Sequence, residues 1–287
     1  MPRFGVAGNP ADFYDKGWKH SVQMPGYLAS MGLDAYEYQC GRGVAIGQAT
    51  AAELGAQAVK HGVRLSVHAP YYINLAGRDA EKLEKSYGYI LDSMEAATWM
   101  GGDRVVVHPG SANAPGGREE ALALACKAMQ VVMSMAEERG LADQVAICPE
   151  LMGKVNQLGN LDEVITLCSL DDRLIPTIDF GHFNARTHGG LKVYEDFRAI
   201  CDRIADALGQ ERMKRMHIHF SRIEYTAGGE KMHHTFADTQ YGPEFNPLAQ
   251  VMRDLDMDPV IICESKDTQS IDAAEMKRIY LEGGNRT

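Results

Sequence analysis

Several short apolar runs in this 287-residue chain end in a side chain that binds metal ions. His68 closes "RLSVH", His108 follows "RVVV" and Glu150 ends "VAICPE". Asp179 ends "LIPTID", His217 stands in "MHIHFS" and Glu264 ends "PVIICE". His182 follows Asp179 by three residues, and His233 and His234 lie in the segment after "MHIHFS". Imidazole and carboxylate are the donors zinc prefers, with Mn²⁺ and Fe²⁺ behind it, and the set exceeds what one tetrahedral ion needs, so more than one ion is expected. A single histidine on an apolar strand is more often a satisfied core residue than a ligand, but six ligand-type residues at strand ends do not fit that reading. His20, His61 and His188 read as solvated or locally hydrogen-bonded. His219 shares the face of His217 one step further on, and is left open as a residue that supports a ligand. The "DFG" at Asp179 has no HRD loop or Gly-rich lid to accompany it, and Cys148 and Cys263 read as barrel filling.

Residues so far apart need a scaffold that brings strand ends together. Eight strand-like runs begin at Arg3, Leu33, Arg64, Arg104, Val145, Leu174, Met216 and Pro259. Between them lie segments such as "DAEKLEKSYGYILDSMEAATWM" and "LKVYEDFRAICDRIADAL", whose apolar residues recur at helical spacing. Eight βα units of about 36 residues each predict an α/β fold, one (β/α)8 TIM barrel over residues 1–287, with the metal site at the C-terminal ends of the strands. An open doubly wound sheet fits less well, because no GxGxxG follows the first strand. The formal charge of -10 argues against a globally basic nucleic-acid binder. Six scattered cysteines without a CxxC pair, and no apolar stretch near the roughly 18 residues that span a bilayer, predict a soluble cytoplasmic protein with no membrane partner.

The motifs "SVHAPYYINLAG", "VVHPGS", "PELMGKVNQLG", "IDFGHFNAR", "MHIHFS", "MHHTF" and "ICES" together resemble the endonuclease IV family of AP endonucleases, along the whole chain. The resemblance implies a TIM barrel with a trinuclear zinc cluster that cleaves damaged double-stranded DNA 5′ to abasic sites. By position it implies that His68 and His108 hold a first zinc and that Glu150 bridges it to a second, bound also by Asp179, His217 and Glu264. His182 and His233 would hold the third. Where the family places an aspartate two residues before His233, this chain has Lys231, and a protonated lysine cannot ligate. Two readings follow: Glu230 substitutes by a loop shift, or the Lys231 ammonium replaces the third cation and holds a phosphate oxygen. Two or three zinc ions are therefore expected.

The chemistry suits the residues. Phosphodiester hydrolysis needs an activated water and charge neutralisation on the attacking and leaving oxygens, which ions bridged by one carboxylate supply. Glu150 is the expected bridge and Glu264 the residue that orients the water. Tyr71 and Tyr72 are candidates to wedge into a duplex, and Arg42 a weaker one; rim packing is the plain alternative for the tyrosines. Arg42, Lys154, Arg186, Arg222, Lys231 and Lys266 all follow strand ends and would make a positive mouth on an acidic body. A monomer is expected. The rival reading is a one-metal sugar isomerase or epimerase of the xylose-isomerase-like class, using Glu150, Asp179, His217 and Glu264 and leaving the other four histidine ligands without a task.

Overall fold

In the computed structural model, which describes residues 1–284, eight parallel strands are covered by helices. The barrel strands are β1 (Arg3–Ala7), β2 (Ala35–Gln39), β3 (Arg64–His68), β4 (Arg104–Val107), β5 (Ala146–Pro149), β6 (Thr177–Asp179), β7 (His217–Phe220) and β10 (Val260–Cys263). They are ordered β5-β4-β3-β2-β1-β10-β7-β6. A parallel bridge between Glu150 and Thr177, with Leu151 N–H donating to Thr177 O at 2.9 Å, joins the two ends of that order into a TIM barrel. Strands buried on both faces read as continuous apolar runs, which is why they were visible in the sequence.

The faces sort by alternation. Phe4 packs on Phe245 and Tyr280 of the surrounding helices, so Gly5 and Ala7 on the same strand face the barrel axis. A Cβ on Gly5 would overlap the Ala35 carbonyl, so the axis there has room only for glycine. The same alternation turns Glu37, Ser66, His68, Glu150, Thr177, Asp179, His217 and His219 inward, all of them buried polar groups. Apolar residues fill the other layers of the axis, among them Ala35, Val260 and Ile262 on one side and Val106, Cys148 and Ile175 on the other.

Helix ends are well signalled locally. Asp79 caps α4 (Ala80–Met100) by accepting from Lys82 N, and Asn160 and Glu163 form a reciprocal box at the start of α6 (Leu161–Cys168). Gly101, left-handed at φ 71°, ends α4. α7 (Phe180–Arg186) starts directly from β6, with Asp179 as its cap.

The segment after β7 is not an irregular loop. It forms an antiparallel hairpin, β8 (Arg222–Thr226) with β9 (Gly229–His234), whose tip docks on the loop after β5. Val155 N donates to Gly228 O at 3.1 Å and Glu230 N to Gly153 O at 3.2 Å. That loop is itself held by Arg186, which donates to the carbonyls of Met152, Lys154, Val155 and Gln157, and by Arg118, which donates to those of Val155 and Gln157. Among the described residues no helix is long and apolar enough to cross a membrane.

Candidate metal centre

Three groups of imidazoles and carboxylates meet at the C-terminal end of the barrel, and Glu150 belongs to two of them. In the first, His68 Nε2 and His108 Nε2 lie 3.3 and 3.0 Å from Glu150 Oε2. In the second, His219 Nδ1 lies 3.1 Å from Glu150 Oε1 and 3.6 Å from Glu264 Oε2, and Asp179 completes the set. In the third, His182 Nε2 and His233 Nε2 flank the Glu230 carboxylate at 3.5 and 3.8 Å. Two ligands at about 2.1 Å from one tetrahedral ion stand roughly 3.4 Å apart, so these separations have the right size to close on an ion.

Two further observations fit metal. Asp179 Oδ1 accepts from His182 N at 2.7 Å, but Oδ2 is buried without a hydrogen bond, its imidazole neighbour, His182 Nδ1 at 3.2 Å, being spent on Leu151 O. Three of the histidines spend Nδ1 on the protein: His68 on Ala69 O at 2.8 Å, His182 on Leu151 O at 3.0 Å and His233 on Ser221 Oγ at 2.8 Å. The two carbonyls can only accept, so they fix the proton of His68 and His182 on Nδ1 and aim Nε2 at the carboxylates, while the Ser221 hydroxyl orients the His233 ring.

The electrostatics reflect crowding. Burial pushes the Glu150 carboxyl up, but the imidazoles of His108 and His219 overcome it and hold the group well below the usual carboxylate range. Glu264 is raised, by burial first and by Glu150 and Asp179 besides, although His219 and His233 pull it down. Burial opposes the charged form of His182, yet Asp179, Glu230, Glu150 and Glu264 together raise it to about 9. His108 is lowered by burial.

The structure exchanges the strand-seven histidine expected at the site. β7 begins at His217 rather than ending there, so His217 lies one pleat below the site and bonds Glu37 Oε2 through Nε2 at 2.8 Å. His219, two residues on and on the same face, stands with Glu150, Asp179 and Glu264 instead. Burial pushes the His217 imidazole down to about 4, that of a neutral core group.

Lys231 is also displaced. Glu224 pairs with Met232 and Tyr225 with Glu230, which leaves Lys231 as the extra residue of a β-bulge. Its ammonium turns away from the pocket to Glu224, at 2.6 Å, and Glu230 takes the place facing His182 and His233. His234 pairs with Glu224 and Asp238 and stacks on Tyr241, outside the three groups.

The groups open into a cavity of about 470 Å³ lined also by Gln39, Tyr71, Met152, Lys154, Gln157 and Gln269. Tyr71 sits against the His68 and His108 rings, with centroids 5.3 and 5.7 Å away. Tyr72, 60 % exposed, lines a neighbouring groove. Arg186 is committed to loop carbonyls, and Arg222 is buried against Glu244 and the carbonyls of Asp238 and Tyr241. Of the six cations expected at the mouth, Arg42, Lys154 and Lys266 are exposed and make no ion pair among the described residues.

Glu37 was missed by sequence reasoning, although a glutamate within the otherwise apolar and aromatic "AYEYQ" of a barrel strand is a signal that something inside must receive it.

The fold and the imidazoles and carboxylates at its strand ends point to a class: the chain belongs to the xylose isomerase-like TIM barrel family, whose pattern it matches over residues 26–282. Over 97 % of both chains it is 30 % identical to an uncharacterized protein of Methanocaldococcus jannaschii. It is 30 % identical to endonuclease 4 of Thermus thermophilus over 160 residues, 56 % of this chain and 54 % of that one, so it matches just over half the length of that relative. The crystal structure of endonuclease IV from the same species superposes over the full length of both chains with a TM-score of 0.71 at 22 % identity. A D-tagatose 3-epimerase-like protein superposes over 99 % of this chain and 98 % of its own, with a TM-score of 0.70 at 20 % identity. Structural likeness at these identities establishes the barrel and does not separate hydrolase from epimerase.

Proposed function

We propose that the protein is a metal-dependent phosphodiesterase that hydrolyses damaged double-stranded DNA on the 5′ side of abasic sites, with two or three zinc ions held by His68, His108, Glu150, Asp179, His182, His219, Glu230, His233 and Glu264. The observation that carries this reading is the sharing of Glu150: Oε2 faces His68 and His108, while Oε1 faces His219. One carboxylate serving two donor groups is the arrangement a multinuclear centre needs, and a one-ion site has no use for the His68/His108 and His182/Glu230/His233 groups.

When bound, the ions would supply Lewis-acid stabilisation of a phosphoryl oxygen and lower the pKa of a coordinated water. The remaining work falls to this chain's own groups. Glu264 lines the cavity with its side chain 18 % exposed, so its carboxylate is placed to orient the attacking water. Lys154, at the rim without a carboxylate partner, can hold a non-bridging phosphate oxygen. Tyr71 forms the wall beside His68 and His108, where an unpaired nucleotide would lie, and its hydroxyl is fixed by donation to Gln39 Oε1 at 2.9 Å. Arg42 and Lys266 would meet the flanking backbone.

The test is elemental analysis of the purified protein together with incision of a duplex carrying one abasic site. Two or more zinc ions per chain and a cut on the 5′ side support the reading. One ion per chain, intact DNA and turnover of a ketose would replace it with the epimerase, which the set Glu150, Asp179, His219 and Glu264 would serve with a single ion.

A further inference from the structure

One fully buried ionisable group beneath the centre belongs to none of the three sets that meet at the barrel mouth. Glu37, in the middle of β2, is fully buried on the barrel axis, and among the described residues the ionisable side chains within 4 Å of its carboxylate are His217 and His219. Its oxygens are divided. Oε2 accepts from Ser66 Oγ at 3.0 Å and from His217 Nε2 at 2.8 Å. Oε1 accepts from Gln39 Nε2 at 3.2 Å and stands 3.1 Å from His219 Nε2. A carboxylate in such a place is costly without a compensating charge, and its fixed donors, a hydroxyl, an amide and an imidazole, carry none.

His219 differs from three of the other histidines of the centre. His68, His182 and His233 occupy Nδ1 with carbonyls or a hydroxyl and present Nε2, whereas His219 presents Nδ1 to Glu150 and Glu264 and turns Nε2 toward Glu37. The Nε2 contact is off the line a hydrogen bond requires, and that nitrogen makes no other bond. It is therefore free to take this one.

We infer that Glu37 is a positioning residue: by receiving the Nε2 proton of His219 it commits Nδ1 to the ion shared with Glu150, Asp179 and Glu264, while His217 and Ser66 hold Glu37 in place. The two histidines of "HIH" then have separate tasks, ligand above and anchor below. Through Gln39, whose amide bridges Glu37 and the Tyr71 hydroxyl, the same chain of bonds reaches the cavity wall. This inference rests on the metal-centre reading of the site and is independent of which substrate is cut.

The experiment is zinc release from the loaded protein to a competing chromophoric chelator, for the parent and for Glu37→Gln, with the ligand-field spectrum of the cobalt-substituted forms recorded in parallel. The amide keeps the shape but removes the charge. Loss of the carboxylate should weaken one ion by about 10- to 100-fold, leave the others and the saturating stoichiometry unchanged, and shift the cobalt bands of that site. The double variant Glu37→Leu/His217→Leu replaces the buried polar pair by apolar groups of similar size. It gives the same reading should the amide disturb folding. Parent-like release at every site, with an unshifted spectrum, would overturn the inference. So would loss of one whole ion at saturating zinc, which would make Glu37 itself a ligand. A parent that binds zinc but leaves DNA intact would count against the phosphodiesterase and not against Glu37.

Discussion

Substituting Gly153 by alanine tests whether the hairpin docks where it must for Glu230 to be a ligand. Gly153 is buried between the loop after β5 and the hairpin, and a Cβ built on it would meet Glu230 Cβ at 2.6 Å and His182 Cδ2 at 2.9 Å. Carbon atoms at ordinary contact stand about 3.5 to 4.0 Å apart, so Glu230 must retreat by roughly 1 Å. Its Cβ is carried by the β9 backbone, which Gly153 O holds through Glu230 N, and cannot swing aside as a side-chain tip would. Metal–ligand distances tolerate only about 0.2 Å, so the displacement decides the outcome: the His182/Glu230/His233 group should lose its ion. Overpacking of this kind costs about 1 to 3 kcal/mol of stability. The assay is metal content by elemental analysis with urea unfolding of the same preparations, beside Glu230→Gln, which removes the ligand without the clash. Both variants should lose one ion per chain, and only Gly153→Ala should also lose stability. Gly153→Ala with the parent's ion count and urea midpoint would refute the docking geometry.

Other outcomes follow from the placement of single residues. Lys231→Ala should leave metal content and rate within about twofold of the parent, because the ammonium is taken by Glu224 on the outer face of the hairpin and exposed pairs contribute little; a large rate loss in steady-state incision would return Lys231 to the site. Lys154→Gln should raise the KM for a DNA duplex and flatten its dependence on salt, measured from 50 to 200 mM, since a phosphate contact is lost with its released counterion. Phe220→Ala should cost about 3 to 5 kcal/mol in urea unfolding, since the ring is fully buried at the edges of Phe236 and Phe245.

The scaffold was legible because parallel barrel strands, buried on both faces, announce themselves as apolar runs, and five of the ligand-type residues, His68, His108, Glu150, Asp179 and Glu264, stand out where those runs end. What the sequence could not supply was where a strand starts. In "MHIHFS" both histidines share one face by the period of two, so the choice between His217 and His219 depends on how far β7 extends past Pro176, whose carbonyl accepts from His217 N. The hairpin posed the same difficulty in another form. Counting two residues back from His233 gives Lys231, but the bulge shifts the register by one and brings Glu230 to the position instead. Glu37 escaped for a different reason, since its partners, at positions 66, 217 and 219, lie on strands far away in sequence.

The likeness to the solved endonuclease and epimerase-like structures is one of fold, and on that fold the candidate site divides into overlapping groups. One group, Glu150, Asp179, His219 and Glu264, could hold a single ion over any small oxygen-rich substrate. Outside it, His68 and His108 come from the ends of β3 and β4, His182 from the first turn of α7, and Glu230 and His233 from a hairpin set between β7 and β10. The elements that add ligand-type residues are therefore barrel strand ends, the first turn of α7 and one hairpin, and the hairpin is pinned by the loop that follows Glu150. Such coupling means that the shared carboxylate and the outermost donor group are positioned together. A change that frees the hairpin should strip the centre from the outside inward and leave the four-ligand set last, which is the order a zinc competition series on Gly153 and Glu230 variants would reveal.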